Sequence, residues 1–280
     1  MNDTLREYLS YGSFLIPLLT FKKTIQPEKV QWGGKSQYFL YFPSPEPVND
    51  TLIIYLHGGG WNSHSPEEFA FIGEKFALEG YDCVLPSYRK TPRFRYKNLI
   101  YDVFAGYCAI RKHLSEKRTY KKVIVIGSSA GAHLGALLCY DSFLQNKFSI
   151  SPDEIDGFIS LAGPLCFDSP YTFEFKYLIS SLFHSSDSAM WKKGEPVRKL
   201  KQGQQTKCMI IQSRHDGVVE FDQSHKFYQR ACELGIPAEF YEVIEKQDTH
   251  SAYCAGIFLK EKTDSPTLEK VFETAEKFSK

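Results

Sequence analysis

The stretch Lys121 to Tyr140, KKVIVIGSSAGAHLGALLCY, constrains the fold of this chain more than any other. Val123 to Ile126 is an unbroken β-branched run, and a strand without polar alternation has to be covered on both faces, as in a parallel sheet. Ala130 to Tyr140 reads as a small-residue helix with Leu134, Leu137 and Leu138 spaced for one face. Between strand and helix lies Gly127-Ser128-Ser129-Ala130-Gly131, which fits the pattern G-x-S-x-G. In that pattern a sharp turn leaves no room for a Cβ at the flanking positions and pushes the central residue, Ser129, out above the sheet.

The rest of the chain supplies strands and helices in alternation. After an apolar N-terminal arm, Lys29 to Trp32 and Gln37 to Phe42 read as two antiparallel strands joined at Gly33-Gly34. Thr51 to Leu56 is a further strand, Pro66 to Glu79 a helical segment, Tyr81 to Leu85 a strand and Leu99 to Leu114 a long helix. Beyond the turn at Ser129 come strands at Gly157 to Leu161, Cys208 to Gln212 and Glu239 to Ile244, a helix at Phe221 to Leu234 and a terminal helix from Pro266. Such alternation predicts a mostly parallel sheet covered on both faces, with ligands at the carboxyl ends of its strands. Residues 166–206 break the rhythm. They are too long for an ordinary connection, and with Phe167, Tyr171, Phe173, Phe175, Tyr177, Phe183 and Trp191 they are too apolar for a disordered linker. A cap over a cleft is the expectation.

Composition excludes several classes. A formal net charge of +1 on 280 residues gives no electrostatic footprint for nucleic acid or an acidic membrane surface. The seven cysteines are scattered and lack a C-x-x-C spacing, which argues against a zinc site or a disulfide framework and for reduced thiols in the cytoplasm. The arm, residues 1–28, carries Asp3 and Glu7 early and Pro17 within its apolar run. It reads as a packed helical arm, neither an export signal nor a stable membrane insertion.

Three further places carry chemistry. His57-Gly58-Gly59-Gly60 follows a strand, and consecutive glycines let N–H groups converge on one point. The N–H groups of Gly58 and Gly59, with that of Ala130, would bind a developing oxyanion, each such donor being worth about 3 kcal/mol in the transition state. His57 itself reads as a brace for that loop. Among the eight histidines, His250 follows the last strand after a short polar loop, where active sites of open sheets collect. For a partner acid, Asp216 follows the strand at Cys208 to Gln212, with Glu220, Asp222 and Asp248 as rivals. Trp61, Ser128 and Phe167 are the candidate substrate contacts. Asp102 reads as structural.

HGGGW at His57 to Trp61, GSSAG at Gly127 to Gly131, DGVV at Asp216 to Val219 and the later His250 together resemble the α/β-hydrolase superfamily. More narrowly they are similar to its HGGG-containing esterases: hormone-sensitive-lipase-like, acetyl and feruloyl esterases, and kynurenine-formamidase-like hydrolases. Ser87-Tyr88-Arg89 and Asp102 resemble structural elements of those enzymes. The resemblance implies an α/β-hydrolase fold with about eight strands and a cap over one domain, 1–280. It implies a serine carboxylesterase with Ser129 as nucleophile, His250 as base and Asp216 as acid, in the chain order of this fold. The expected partner is a small-molecule ester, with no metal or organic cofactor and a monomeric or homodimeric state. An aryl formamidase with the same machinery and a non-catalytic binding protein on this fold are the alternatives.

Overall fold

In a computed structural model, which describes Glu7, Phe21 and residues 24–168, 172–245 and 249–280, the run Val123–Ile126 lies inside an eight-stranded sheet. The strands are β1 (Glu28–Gln31), β2 (Tyr38–Phe42), β3 (Thr51–Leu56), β4 (Asp82–Pro86), β5 (Lys122–Ser128), β6 (Gly157–Leu161), β7 (Lys207–Ser213) and β8 (Ala238–Val243). Their spatial order is β1-β2-β4-β3-β5-β6-β7-β8. β2 runs antiparallel to both neighbours, and the six strands from β4 to β8 are parallel. β5 sits between β3 and β6, in a register that opposes Ile54 to Val125 and Ile126 to Ile159.

Alternate residues of one strand feed two separate cores. Leu52, Ile54 and Leu56 of β3, with Val123 and Val125 of β5, face one layer; Ile53, Tyr55, Ile124 and Ile126 face the other. That two-sided burial is why the β5 sequence shows no polar alternation. Helix α1 (Ala70–Leu78) covers the second layer. Helices α2 (Tyr96–Ser115), α3 (Ala130–Tyr140) and, after the short α4 (Ser142–Lys147), the cap helices α5 (Phe173–Phe183) and α6 (Ser188–Trp191) pack into the first. α7 (Phe221–Glu233) joins the first layer; α8 (His250–Cys254) and α9 (Pro266–Ser279) close the second. The aromatic surplus fills both layers, with Trp61, Trp191, Tyr55, Tyr88, Tyr107 and Phe104 among the largest fully buried side chains.

The fold thus matches expectation in its strands, with three local differences. Residues 142–147 form a helix where none is expected, because Asp141 accepts from the N–H of Leu144 and starts a new turn. The insertion at 166–206 is helical in part, its α5 capped by the Thr172 hydroxyl on the Phe175 N–H. His250 opens a helix and does not lie in a loop. Of the N-terminal arm, only Glu7, Phe21 and residues from 24 onward are described, and Asp248 also lies outside the described residues.

Asp102 holds the glycine loop in place from behind. It is fully buried and accepts from the Arg89 backbone N–H at 2.9 Å, from Arg89 Nε and Nη2 at 2.8 Å each and from Gln37 Nε2 at 2.8 Å. That pins the segment in which Tyr88 donates to the His57 carbonyl at 2.9 Å. Removing one partner of a buried pair leaves the other charge uncompensated. Asp102→Ala should therefore lower unfolding free energy by about 3 kcal/mol, read as a fall in the urea midpoint at an unchanged slope.

Candidate active site

Ser129 occupies the turn between β5 and α3 with φ +50° and ψ −120°, a strained conformation for a residue with a side chain. Its neighbours explain how the turn closes. A Cβ on Gly131 would stand 2.0 Å from the Leu56 carbonyl oxygen and 2.5 Å from that of His57; one on Gly127 would stand 2.6 Å from the backbone of Ala132 and Gly131. These glycines serve close backbone approach, as the pentapeptide predicts. The Ser129 N–H donates to the Leu161 carbonyl at 2.8 Å, tying the turn to the end of β6.

The loop after β3 carries three successive positive φ values, at Gly59 (+109°), Gly60 (+54°) and Trp61 (+62°). Gly58 lies against the turn: a Cβ there would meet the Ser128 carbonyl at 3.1 Å and Ser129 Cβ at 3.3 Å. Among the described residues, no protein acceptor takes the N–H groups of Gly58 and Gly59. Ala130, as the first residue of α3, presents one of the N–H groups that a helix cannot satisfy internally. His57 braces this loop, donating from Nδ1 to the Gly58 carbonyl at 2.7 Å and stacking on Tyr88 and Phe69. Burial pushes its pKa down to about 3, so it stays neutral.

Asp216 and His250 lie in hydrogen-bond contact. His250 Nδ1 lies 2.8 Å from Asp216 Oδ2 and 3.0 Å from Oδ1, with both side chains buried. Asp216 also accepts from the N–H groups of Val218 at 2.9 Å and Val219 at 2.8 Å. Burial alone would raise the Asp216 pKa, but the His250 charge, its hydrogen bond and those of Tyr253 and Val219 hold it below the ordinary 3.8. Burial works against a charged His250 too; the Asp216 charge and hydrogen bond outweigh it, with smaller help from Glu7 and Glu174, and keep its pKa above 6.5. Glu220 and Asp222 stand at the start of α7, and among the described residues the carboxylate bonded to His250 is that of Asp216.

Ser129, His250, Gly58, Gly59 and Ala130 line one cavity of about 350 Å³. Trp61, Phe69, Pro164, Val218 and Val219 add apolar wall, and the cap contributes Glu174, Phe175 and Leu178. His64 and Glu68, paired at 2.6 Å, sit on its rim. Of the expected substrate contacts, Trp61 lines this cavity while its indole N–H donates to His133 Nδ1 at 3.2 Å. His133 Nε2 in turn donates to the Gly194 carbonyl at 2.8 Å, so one buried imidazole, with its pKa down to about 4 through burial, joins loop, turn helix and cap. Ser128 borders the cavity, but its hydroxyl is spent on Tyr55 and the Cys254 carbonyl, which ties β5 to α8. Phe167 is not among the residues that line this cavity; its ring packs on His133 and Phe175, and Glu195 accepts from its N–H at 2.5 Å.

Sequence reasoning missed Tyr253, whose hydroxyl donates to Asp216 Oδ2 at 2.6 Å. The available signal was Thr249, a residue type that favours the N-cap position, directly before His250; a helix starting there puts 250 and 253 on one face. Phe175 and Leu178 belong to the apolar insertion from which a cap over the cleft is expected, whereas Glu174 had no signal, since only the folded insertion brings it to the cavity.

The sheet order, the turn at Ser129 and the cap define an α/β-hydrolase fold. The model of the BD-FAE family matches residues 39–231, and the chain belongs to that family. Among solved structures, esterase B from Lactobacillus Rhamnosis superposes with a TM-score of 0.77 at 16% identity, covering 97% of this chain and 91% of that one. A truncated carbohydrate esterase from gut microbiota gives 0.76 at 17% identity over 92% and 96%. Carboxyl esterase 2 from Tuber melanosporum gives 0.73 at 15% over 93% and 88%. In sequence, a kynurenine formamidase of Danio rerio is 23% identical over 210 residues, 74% of this chain and 68% of that protein. One of Salmo salar is 27% identical over 131 residues, 47% of this chain and 42% of the relative, so the match spans less than half of that relative's length.

The two turn helix glycines separate close approach from mere smallness. Gly131→Ala should cost about 3 kcal/mol or more, because its Cβ meets backbone that cannot move aside. Gly135→Ala, whose Cβ would meet side chains of Phe158 and Val125 at 3.2 Å, should cost about 1 kcal/mol or less. Thermal denaturation of both variants checks the difference.

Proposed function

We propose that this protein is a serine carboxylesterase acting on small to medium esters through an acyl-enzyme on Ser129. The observation that carries the reading is one cavity where an outward serine in a strained turn, a carboxylate-bound imidazole and N–H groups that bond to no acceptor among the described residues come together. Ser129 Oγ attacks the ester carbonyl carbon as His250 Nε2 takes its proton. Asp216 keeps the Nδ1 proton in place and stabilises the imidazolium that forms. The N–H groups of Gly58, Gly59 and Ala130 receive the oxyanion. As the tetrahedral intermediate collapses, His250 protonates the departing alkoxide and the acyl group remains on Ser129. Water, deprotonated by His250, attacks this acyl-enzyme, and the second intermediate releases the acid and restores the serine.

The neutral imidazole is the base, and its pKa lies above 6.5, so protonation removes activity from the acidic side. The kcat/KM profile for a p-nitrophenyl ester should fall toward acid with a midpoint above 6.5. Ser129→Ala should lose fluorophosphonate labelling and at least about 10³-fold in kcat. Undiminished labelling of Ser129→Ala, or a folded wild type inert to the probe, would sink the serine mechanism.

The cavity volume of about 350 Å³ supports short and medium acyl groups. Leu178, whose methyls stand 3.1 Å from the place a Cβ on Gly60 would take, forms the cap side of that wall. Leu178→Ala should move the preferred acyl chain to greater length in a p-nitrophenyl ester series, without altering the acidic midpoint.

The likeness to two kynurenine formamidases supports a second reading, an aryl formamidase using the same residues. Turnover of N-formylkynurenine well above that of p-nitrophenyl acetate would favour it. A cytoplasmic location belongs to the proposal as well and rests on the scattered, reduced cysteines. Among the described residues, no helix is long and apolar enough to cross a membrane.

A further inference from the structure

One turn of α8 delivers two side chains to the same carboxylate. His250 and Tyr253 stand at i and i+3, and both end on Asp216 Oδ2, at 2.8 Å and 2.6 Å. The ring of Tyr253 is fully buried, and burial with the Asp216 charge beside it pushes its pKa well above 10, so the phenol keeps its proton and donates it to Asp216 in a hydrogen bond. Gln212 Nε2 reaches the same oxygen at 3.3 Å, while Oδ1 takes the two backbone N–H groups of Val218 and Val219.

A carboxylate that gives part of its charge to a second strong donor attracts a proton on the imidazole less than one that faces the imidazole alone. Tyr253 therefore works against protonation of His250. On the other side of the same helix start, Glu7 of the N-terminal segment, itself buried, accepts from the Ser251 N–H at 3.0 Å. A carboxylate there works in favour of protonation of His250. The other groups facing His250 are Asp216 from the loop after β7, Glu174 from the cap helix α5, Ser129 from the turn and Cys254 on α8 itself, the last held neutral by burial.

We propose that Tyr253 and Glu7 are positioning residues that act on His250 in opposite directions, Tyr253 by taking up charge of Asp216 and Glu7 by adding a carboxylate at the start of the helix that carries the histidine. This rests on the reading of Asp216 and His250 as acid and base, and it deepens that reading. The phenol also fixes the carboxylate plane, so its loss acts on the chemical step more than on binding.

The test is a titration of His250 by ¹H–¹⁵N NMR of histidine-labelled wild type, Tyr253→Phe and Glu7→Gln, alongside the pH profile of ester hydrolysis. Tyr253→Phe keeps the ring and removes the donor; Glu7→Gln keeps an acceptor for Ser251 and removes the charge. The His250 midpoint should rise by about half a pH unit in Tyr253→Phe and fall by a similar amount in Glu7→Gln. In Tyr253→Phe, kcat should drop by about tenfold with KM unchanged. Midpoints that stay at the wild-type value while only the melting temperature falls, or shifts of the same sign in both variants, overturn the proposal. Should Tyr253→Phe fail to fold, Glu7→Gln decides alone, and an unmoved or raised midpoint overturns it. The NMR titration needs no turnover, so a protein inert to every ester removes the esterase reading and still leaves this one to its own result.

Discussion

The contact between the turn helix and the end of β3 governs the site. Gly131 passes so close to the carbonyls of Leu56 and His57 that only a residue without a side chain fits. That approach brings the start of α3 against the loop that follows β3, and so puts Ser129 beside Gly58. Because β3 and β5 are also adjacent parallel strands, from Thr51 opposite Lys122 to Leu56 opposite Gly127, the two loops leave the sheet at the same level. Two unrelated stretches of chain become one site through backbone geometry alone.

Burial is the second force, and it acts on each histidine differently. His57 and His133 are enclosed without a charged partner, so burial keeps them neutral, and they serve as braces with one fixed donor nitrogen each. His250 is enclosed as deeply but faces Asp216, and the attraction overcomes the burial cost. The same solvent exclusion that would forbid an isolated charge strengthens the interaction between two opposite ones. A low dielectric thus keeps two of the three buried imidazoles neutral and favours charge on the third, which faces Asp216.

The insertion at 166–206 earns its apolar composition twice. Phe183, Ile179 and Leu182 pack it onto the sheet, while Phe175 and Leu178 reach the cavity. A buried polar contact, His133 to Gly194, attaches it to α3, and within it the buried Glu195 binds the Phe167 N–H and Arg198.

Local sequence determined the sheet strands, the turn at Ser129 and the glycine loop after β3, because each rests on short-range rules: two-faced burial of a β-branched run, and glycine where a Cβ has no room. Asp216 and His250 were legible as residues just past strand ends. Tertiary structure alone decided that Tyr253 shares the Asp216 carboxylate, that Glu7 lies at the start of α8, that Ser128 ties β5 to that helix and that Phe167 faces inward. These relations join residues far apart in the chain, and their energies come from burial and charge that exist only once the layers have closed. A pattern of residue types records which groups are available; the packed fold decides which of them touch.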